Sequence, residues 1–296
     1  MDRWSGLGVS DEKAEVTAAM FPKVELKNIS VLQQLSPAVH GIVLDMDGVL
    51  WKDAMPIGNL AKIFVSMRSA GLKIILATNN ATMTVDQYLE KLAGFGVILE
   101  PWQIITSSHA TAETLAKAFP DRGPVYVVGE TGVISALNES GFLSITDPDD
   151  ATPVIAVVAG IDRTLTYHKL RRAMIHIRAG ARFYGTNPDT TFPTPAGLVP
   201  GAGSILAALQ SATGTNPIVI GKPSPFMFEL SAERLNLDMG DILVVGDRLE
   251  TDIAGAQSVG ARTALVLSGV SAREQADKWQ PKPDLIAASL AELLSA

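Results

Sequence analysis

Short apolar runs rich in valine and isoleucine recur along this chain, and they constrain its fold more than any other feature. Each spans four to six residues and is apolar at nearly every position. Such a run is typical of a parallel strand that is buried on both faces. The runs lie at residues 39–44, 73–77, 125–128, 154–159, 217–220, 242–245 and 263–267.

Segments with helical periodicity separate these runs. Gly71 follows the segment 60–70 and suits the position after a helix C-cap. Thr84, with Gln87 three residues later, is a capping-box pattern that begins another helix. Further helices are predicted at residues 110–119, 133–139, 167–178, 204–211, 226–235 and 253–258. Alternating strands and helices predict an α/β fold with a mainly parallel sheet.

Polar and charged residues follow four of the predicted strands directly. A parallel α/β sheet binds its ligand outside the carboxyl ends of its strands, so we expect these side chains to converge. The runs at 125–128 and 154–159 end differently and are assigned to a separate unit. The four sets are Asp45 and Asp47, then Thr78, Asn79 and Asn80, then Lys222, and finally Asp247 with Asp252.

The closely spaced carboxylates indicate a metal ion. Asp45 and Asp47 are two residues apart on an extended chain, so both can lean to the same side. Close carboxylates repel each other unless a cation neutralises them. Because the chain has no cysteine and Mg²⁺ prefers oxygen ligands, we predict Mg²⁺. Asp247 is a natural further ligand, and Asp252 would support the site.

Lys222, Thr78 and Asn79 add groups that suit a phosphate. A lysine beside carboxylates can neutralise an anionic substrate and the attacking carboxylate together. Thr78 and Asn79 offer a hydroxyl and an amide beside main-chain N–H groups. Each of these motifs alone is common in ordinary turns. Their joint order after four buried strands indicates a phosphoryl-transfer site.

Composition narrows the class of protein. The chain carries 24 Lys and Arg against 31 Asp and Glu, a net charge of -7, whereas nucleic-acid binding needs a basic surface. The lack of cysteine excludes disulfides and thiolate metal sites and agrees with a reducing compartment. No apolar run approaches the ~20 residues of a membrane span, and the charged N-terminus is unlike a signal peptide. We therefore expect a cytoplasmic protein with a small-molecule substrate and with neither nucleic acid nor membrane as a partner.

Together these motifs resemble the haloacid dehalogenase (HAD) superfamily. The segment DMDGVLW at 45–51 is similar to its first motif in the phosphatase form, and residues 78–80, Lys222 and 246–253 are similar to the other three. The long segment between the second and third motifs resembles subfamily IIA, which includes NagD-like nucleotide phosphatases, 4-nitrophenylphosphatases and pyridoxal phosphate phosphatases. The resemblance covers about residues 38–296. It implies a Rossmann-like three-layer core with a parallel sheet and a large inserted α/β cap.

The resemblance also implies residue roles. Asp45 would be the nucleophile that forms an aspartyl-phosphate, and Asp47 would be the general acid and then the general base. The implied Mg²⁺ ligands are the carboxylates of Asp45 and Asp247 and the main-chain carbonyl of Asp47, with Asp252 in support. The implied phosphate-binding residues are Thr78, Asn79, Asn80 and Lys222.

The same resemblance divides the chain into an N-terminal extension (1–37), a core (38–120 and 200–296) and a C2-type cap (121–199). The stretches at 121–124 and 200–203 have the glycine and proline content of connections. The irregular stretch 186–200 is either an ordinary loop or a loop that sorts leaving groups. Arg163 either contacts substrate or pairs with Asp162. The residues to test in the loop are Asn187, Asp189 and Thr190.

The predicted function is Mg²⁺-dependent hydrolysis of small phosphomonoesters, such as nucleotide, sugar, pyridoxal or aryl phosphates, through an aspartyl-phosphate. Two alternatives stay open at this point. A phosphotransferase or phosphomutase uses the same four motifs, and a catalytically silent HAD-fold binding protein would keep the scaffold. Oligomeric state is open as well, with a cap-to-cap homodimer implied by the family alone.

Overall fold

The computed structural model describes residues 38–194 and 197–294. The extension predicted for residues 1–37 therefore lies outside the described residues. Within the described part of the chain, no helix is long and apolar enough to cross a membrane.

Strands and helices are numbered in chain order. The strands are β1 (Gly41–Leu44), β2 (Trp51–Lys52), β3 (Met55–Pro56), β4 (Lys73–Thr78), β5 (Ile104–Thr106), β6 (Pro124–Val128), β7 (Leu143–Ile145), β8 (Ala156–Ala159), β9 (Arg182–Gly185), β10 (Thr191–Thr194), β11 (Gly197–Pro200), β12 (Ile218–Val219), β13 (Ile242–Gly246), β14 (Arg262–Val266) and β15 (Leu285–Ala287). The helices are α1 (Leu60–Ser69), α2 (Val85–Gly94), α3 (Ser107–Ala118), α4 (Thr131–Glu139), α5 (Tyr167–Arg178), α6 (Ala202–Thr213), α7 (Phe226–Leu235), α8 (Ala254–Ser258), α9 (Arg273–Lys278) and α10 (Leu290–Leu293).

The first sheet has six parallel strands in the order β15-β14-β13-β1-β4-β5. Both of its faces are buried. In β1, Ile42 and Leu44 enter a core that includes side chains of α1 and α2. Val43, between them, enters a second core that includes side chains of α3 and α7. This alternation explains why the strand is apolar at every position, and it forms a three-layer unit.

The second sheet has five parallel strands in the order β12-β9-β8-β6-β7. Tyr126 of β6 packs with side chains of α5 and α6 on one face. On the other face, Val125 and Val127 join the core that also contains Val43 of the first sheet. The two sheets therefore share a continuous apolar core, and the predicted α/β class is confirmed.

The strand predicted at 217–220 lies in the second sheet, not in the first. β12 pairs with β9 in the register Ile218 opposite Tyr184, and α6 contacts both β8 and β9. The predicted return to the core at residues 200–203 is therefore too early, because the chain leaves the second sheet only near residue 220. A short apolar run carries no information about which of two parallel sheets it joins, which explains this error.

Most predicted helices are present. The Thr84 capping box is confirmed by reciprocal bonds with Gln87. Gly71 has φ +76 and follows the C-cap of α1, as predicted. The helix predicted at 253–258 is present as α8, and a π-helical turn at Leu249–Ile253 leads into it. The stretch 186–200, expected to be irregular, contains the antiparallel hairpin β10–β11.

Candidate active site

The carboxyl ends of β1, β4 and β13 place the predicted side chains together. Asp45 follows β1 and extends its pairing with β13, because its main-chain N–H donates to the carbonyl of Val245 at 2.9 Å. Asp247 follows β13, and Asp252 lies in the π-helical turn. Their carboxylates and that of Asp45 offer oxygen atoms that all lie within 4.8 Å of one another.

Lys222 is the cation of this cluster. Its Nζ donates to Asp45 Oδ1 at 2.7 Å, to Asp252 Oδ1 at 2.6 Å and to the carbonyl of Ala77 at 2.9 Å. The residue is only 3% exposed. Burial alone would lower the pKa of Lys222, but the carboxylates of Asp252 and Asp45 outweigh it and raise this pKa above its usual range. The lysine therefore stays charged and offsets part of the negative charge.

Asp247 has one carboxylate oxygen that no group among the described residues satisfies. Its Oδ2 accepts from the main-chain N–H of Val270 at 2.7 Å, whereas Oδ1 is buried without a partner among the described residues. Burial, followed by the charge of Asp252, raises the pKa of Asp247 to about 6. Buried polar atoms without a partner are rare in native proteins and call for an explanation such as an ion.

The cluster fits a hard divalent cation. Burial also raises the pKa of Asp45 well above its ordinary value, with Asp252 and Asp247 adding to the rise and Lys222 opposing it. Without a further cation, these carboxyl groups keep their protons to a higher pH than ordinary carboxyl groups do, and Mg²⁺ would compete with those protons. Neither Gly48 nor Gly269 could carry a Cβ without displacing the carboxylate of Asp247, so the backbone packs closely around it.

The amide side chains of the loop after β4 bond to other parts of the chain. Asn79 Oδ1 accepts from the main-chain N–H of Lys222 at 2.7 Å, and its Nδ2 donates to the carbonyl of Lys222 at 2.9 Å. Asn80 Oδ1 accepts from the N–H and the hydroxyl of Thr82 at 2.9 and 2.8 Å. Thr78, 2% exposed, accepts from the N–H of Asn80 at 3.1 Å. Both amides thus brace loops.

The loop between β9 and β10 reaches the site through two of its three predicted residues. Asn187 Nδ2 donates to the carbonyl of Asn79 at 2.8 Å, and Asp189 Oδ2 accepts from Asn79 Nδ2 at 3.3 Å. Burial raises the pKa of Asp189, and Arg248 offsets part of this rise. Thr190 is exposed, and its carbonyl accepts from the main-chain N–H of Gly201.

Arg163 forms a two-point ion pair within the second unit. Its Nε donates to Glu130 Oε1 at 2.7 Å, and its terminal nitrogen pairs with Glu130 Oε2. The predicted alternative partner, Asp162, is instead paired with Lys169 at 2.8 Å. The predicted pairing of Arg163 with Asp162 is therefore not formed.

Asp47 is exposed, and its carboxylate has a partner that the sequence analysis did not single out. Trp51 Nε1 donates to Asp47 Oδ1 at 2.8 Å. A second unpredicted residue is Ser107 at the start of α3, whose hydroxyl donates to the carbonyl of Asn79 at 2.7 Å. Trp51 is the last residue of the first motif, so the sequence offered a reason to consider it. No neighbouring sequence pattern indicates a role for Ser107.

Comparisons with known proteins find similar sequences and similar folds. A family described as haloacid dehalogenase-like hydrolase matches residues 42–143, and one described as HAD-hydrolase-like matches residues 219–293. The 5′-nucleotidase YutF of Bacillus subtilis is 35% identical over 252 residues, which cover 85% of this chain and 96% of that protein.

Two solved structures are also similar over most of their length. The p-nitrophenyl phosphatase from Archaeoglobus fulgidus has a TM-score of 0.81 at 34% identity and covers 87% of this chain and 99% of its own. The glycerol phosphate phosphatase from Mycobacterium tuberculosis, solved in complex with magnesium, has a TM-score of 0.79 at 32% identity, with 87% and 77% covered. The resemblance seen in the sequence is thereby confirmed, and this chain belongs to the haloacid dehalogenase-like hydrolase family, beside its nucleotidase and nitrophenyl phosphatase members.

Proposed function

We propose that this chain hydrolyses small phosphomonoesters in a Mg²⁺-dependent reaction that passes through a phosphorylated Asp45. The observation that carries the proposal is the contact of Lys222 Nζ with both Asp45 and Asp252, beside the unpartnered buried oxygen of Asp247. The relatives named above are a nucleotidase and two phosphatases, which supports a phosphoric monoester hydrolase. Their names favour water over a second hydroxyl as the acceptor of the phosphoryl group.

Asp45, Asp247 and Asp252 would hold the metal ion, because their oxygens converge and one of them lacks a protein partner. When bound, Mg²⁺ would neutralise negative charge on the phosphoryl oxygens. The magnesium in the glycerol phosphate phosphatase structure supports the choice of ion. The main-chain carbonyl of Asp47 is a further ligand in this proposal.

In the first half-reaction, a carboxylate oxygen of Asp45 attacks phosphorus and the bond from phosphorus to the leaving oxygen breaks. Asp47 donates its proton to that oxygen, so an alcohol or phenol departs. Lys222 stays protonated and offsets the charge that builds on the phosphoryl oxygens. The hydroxyl of Thr78 donates to one of these oxygens.

In the second half-reaction, water attacks the phosphorus of the phosphorylated Asp45. Asp47, now ionised, takes the proton of the water, and the bond from phosphorus to the Asp45 oxygen breaks. Inorganic phosphate leaves and both carboxylates return to their starting forms. A carboxylate nucleophile thus divides one difficult displacement into two easier ones.

The first experiment measures phosphate release from 4-nitrophenyl phosphate with Mg²⁺ and again with excess EDTA. We expect turnover with Mg²⁺ and its loss on chelation. Asp45→Asn should abolish turnover while the circular dichroism spectrum stays native, and Asp121→Asn, at an exposed carboxylate, is the matched control. Turnover that survives EDTA, or a near wild-type rate in Asp45→Asn, would overturn the proposal.

The role of Asp47 has a separate test. Asp47→Asn removes the proton that assists departure, so kcat/KM should fall more for an alkyl phosphate than for 4-nitrophenyl phosphate, whose leaving group needs little protonation. Phosphate release from both esters measures this difference. Equal losses for the two esters would contradict an acid role.

A further inference from the structure

The carboxylate of Asp47 would be free to rotate on its own, because it is exposed. Among the described side chains, the indole of Trp51 is its hydrogen-bond partner, with Nε1 at 2.8 Å from Oδ1. The main chain holds the same turn closed, since the N–H of Gly48 donates to the carbonyl of Trp51 at 2.7 Å. The hydroxyl of Ser268 donates to the carbonyl of Gly48 at 2.6 Å and fixes the turn from the other side.

The indole itself has no freedom to move. Trp51 is 0% exposed. Its ring stacks on Tyr88 of α2, with centroids 6.3 Å apart and planes at 17°, and it also contacts Phe95, with centroids 6.1 Å apart. The ammonium group of Lys91 lies 4.0 Å from the centre of the Trp51 ring. A rotation of the indole would therefore break a stacked aromatic group and a cation–π contact.

We propose that Trp51 is a positioning residue for the general acid and base Asp47, a role that rests on the proposed function. Its N–H occupies Oδ1, so Oδ2 is the oxygen that carries the proton toward the leaving group. An indole N–H only donates, so it bonds the ionised carboxylate as well as the unprotonated oxygen of the carboxylic acid. The same contact thus serves both half-reactions, and it removes rotational freedom that catalysis would otherwise have to restrict.

The competing interpretation is that Trp51 only fills the core. That role predicts a general loss of stability or of active protein, and equal effects on every substrate. A positioning role predicts a loss that depends on how much proton transfer the substrate needs. Leaving-group dependence therefore separates the two interpretations.

The experiment compares the wild-type enzyme, Trp51→Phe and Trp279→Phe on glycerol phosphate and 4-nitrophenyl phosphate with Mg²⁺. Phenylalanine keeps an aromatic ring at residue 51 but removes the N–H. Trp279→Phe is the matched control, because it removes an indole hydrogen bond to Gln257, a residue with no proposed role in catalysis. Melting temperatures with and without Mg²⁺ report whether the variants fold.

We expect kcat/KM of Trp51→Phe to fall by about tenfold for glycerol phosphate and by less than about threefold for 4-nitrophenyl phosphate, since general acid catalysis contributes most to a poor leaving group. With 4-nitrophenyl phosphate, kcat and KM should fall together, and a burst of nitrophenol equal to the enzyme concentration should appear. The burst is expected because the first half-reaction stays fast, whereas the attack of water on phosphorylated Asp45 still needs Asp47 as its base and becomes slow. Trp279→Phe should keep the wild-type values.

A double variant makes the test independent of folding. If Trp51 acts through Asp47, then Trp51→Phe should not lower kcat/KM for glycerol phosphate further in an Asp47→Asn background. Equal losses for both esters in Trp51→Phe, or multiplicative losses in the double variant, would overturn the positioning role. Failure of the proposed function looks different, because the wild-type enzyme would then release no phosphate from either ester.

Discussion

Removing the divalent cation should destabilise the folded protein at neutral pH far more than in mild acid. The cause is the carboxyl group of Asp247, which is 2% exposed and has an unpartnered oxygen. In the metal-free protein, burial and the charge of Asp252 raise the pKa of Asp247 from 3.8 to about 6. The folded state therefore binds more protons than the unfolded state between these two values, so stability falls as pH rises through that window.

The magnitude follows from the same pKa values. A rise from 3.8 to about 6 corresponds to about 3 kcal/mol of unfolding free energy at ~1.4 kcal/mol per pH unit. This stability is present below about pH 4 and is lost by about pH 7. Burial raises the pKa of Asp45 as well. Saturating Mg²⁺ would bind the ionised carboxylates, so it should restore the lost unfolding free energy at neutral pH and have little effect near pH 4.

Urea denaturation at a series of pH values, with EDTA or with Mg²⁺, measures this difference. The gap in unfolding free energy between the two conditions should open between about pH 4 and pH 7. Asp247→Asn is the matched control, because it keeps the shape of the side chain and removes its titration, so its stability in EDTA should decline less over the same range. A gap that stays constant from acid to neutral pH, or an equal gap in Asp247→Asn, would refute the reasoning.

Three further predictions follow from the geometry. Lys222→Met leaves the carboxylates of Asp45 and Asp252 without their cation and should cost about 3–5 kcal/mol of unfolding free energy in EDTA. Adding Asp252→Asn should recover part of this loss, and urea denaturation measures both effects. Asn79→Asp places an oxygen against the main-chain carbonyl at residue 222 and should cost about 1–3 kcal/mol, whereas an unchanged urea midpoint would contradict the bracing role. Gly269→Ala forces a methyl group against the metal-site carboxylate and should raise the Mg²⁺ concentration for half-maximal activity, while Gly240→Ala, in open space, should not.

The two-sheet α/β fold could be predicted because its longer strands are buried on both faces. In β1, consecutive residues enter different cores, so every position must be apolar. Strands that are shorter or carry polar residues gave no such signal, as in β5, β7, β9 and β15. The hairpin β10–β11 was missed because prolines at residues 193 and 200 are typical of loops, and edge strands tolerate them.

The charged members of the site could be predicted because each follows a strand, but their partners could not. Lys222 does lie beside Asp45, but the strand before it, β12, belongs to the second sheet and not to the first as predicted. The pairing of β12 with β9 depends on residues far away in the sequence. Nothing near Asn79 in the sequence predicted that its amide bonds the main chain of Lys222, 143 residues later. Asn187 reaches the same loop from 108 residues away. Contacts of this range arise from the packing of two units and leave no local pattern.

The charges of the proposed site indicate why it would need a metal ion in order to bind a phosphate. Asp45, Asp247 and Asp252 carry three negative charges when ionised, and Lys222 supplies one positive charge. The cluster alone therefore keeps two negative charges and would repel a phosphate dianion. Burial, and then this excess of negative charge, raises the pKa of both Asp45 and Asp247, so the cluster binds a proton or a cation more readily than ordinary carboxylates do. A divalent ion would cancel the excess and leave Asp45 ionised, as its proposed role as nucleophile requires, whereas protons would neutralise the cluster and Asp45 together.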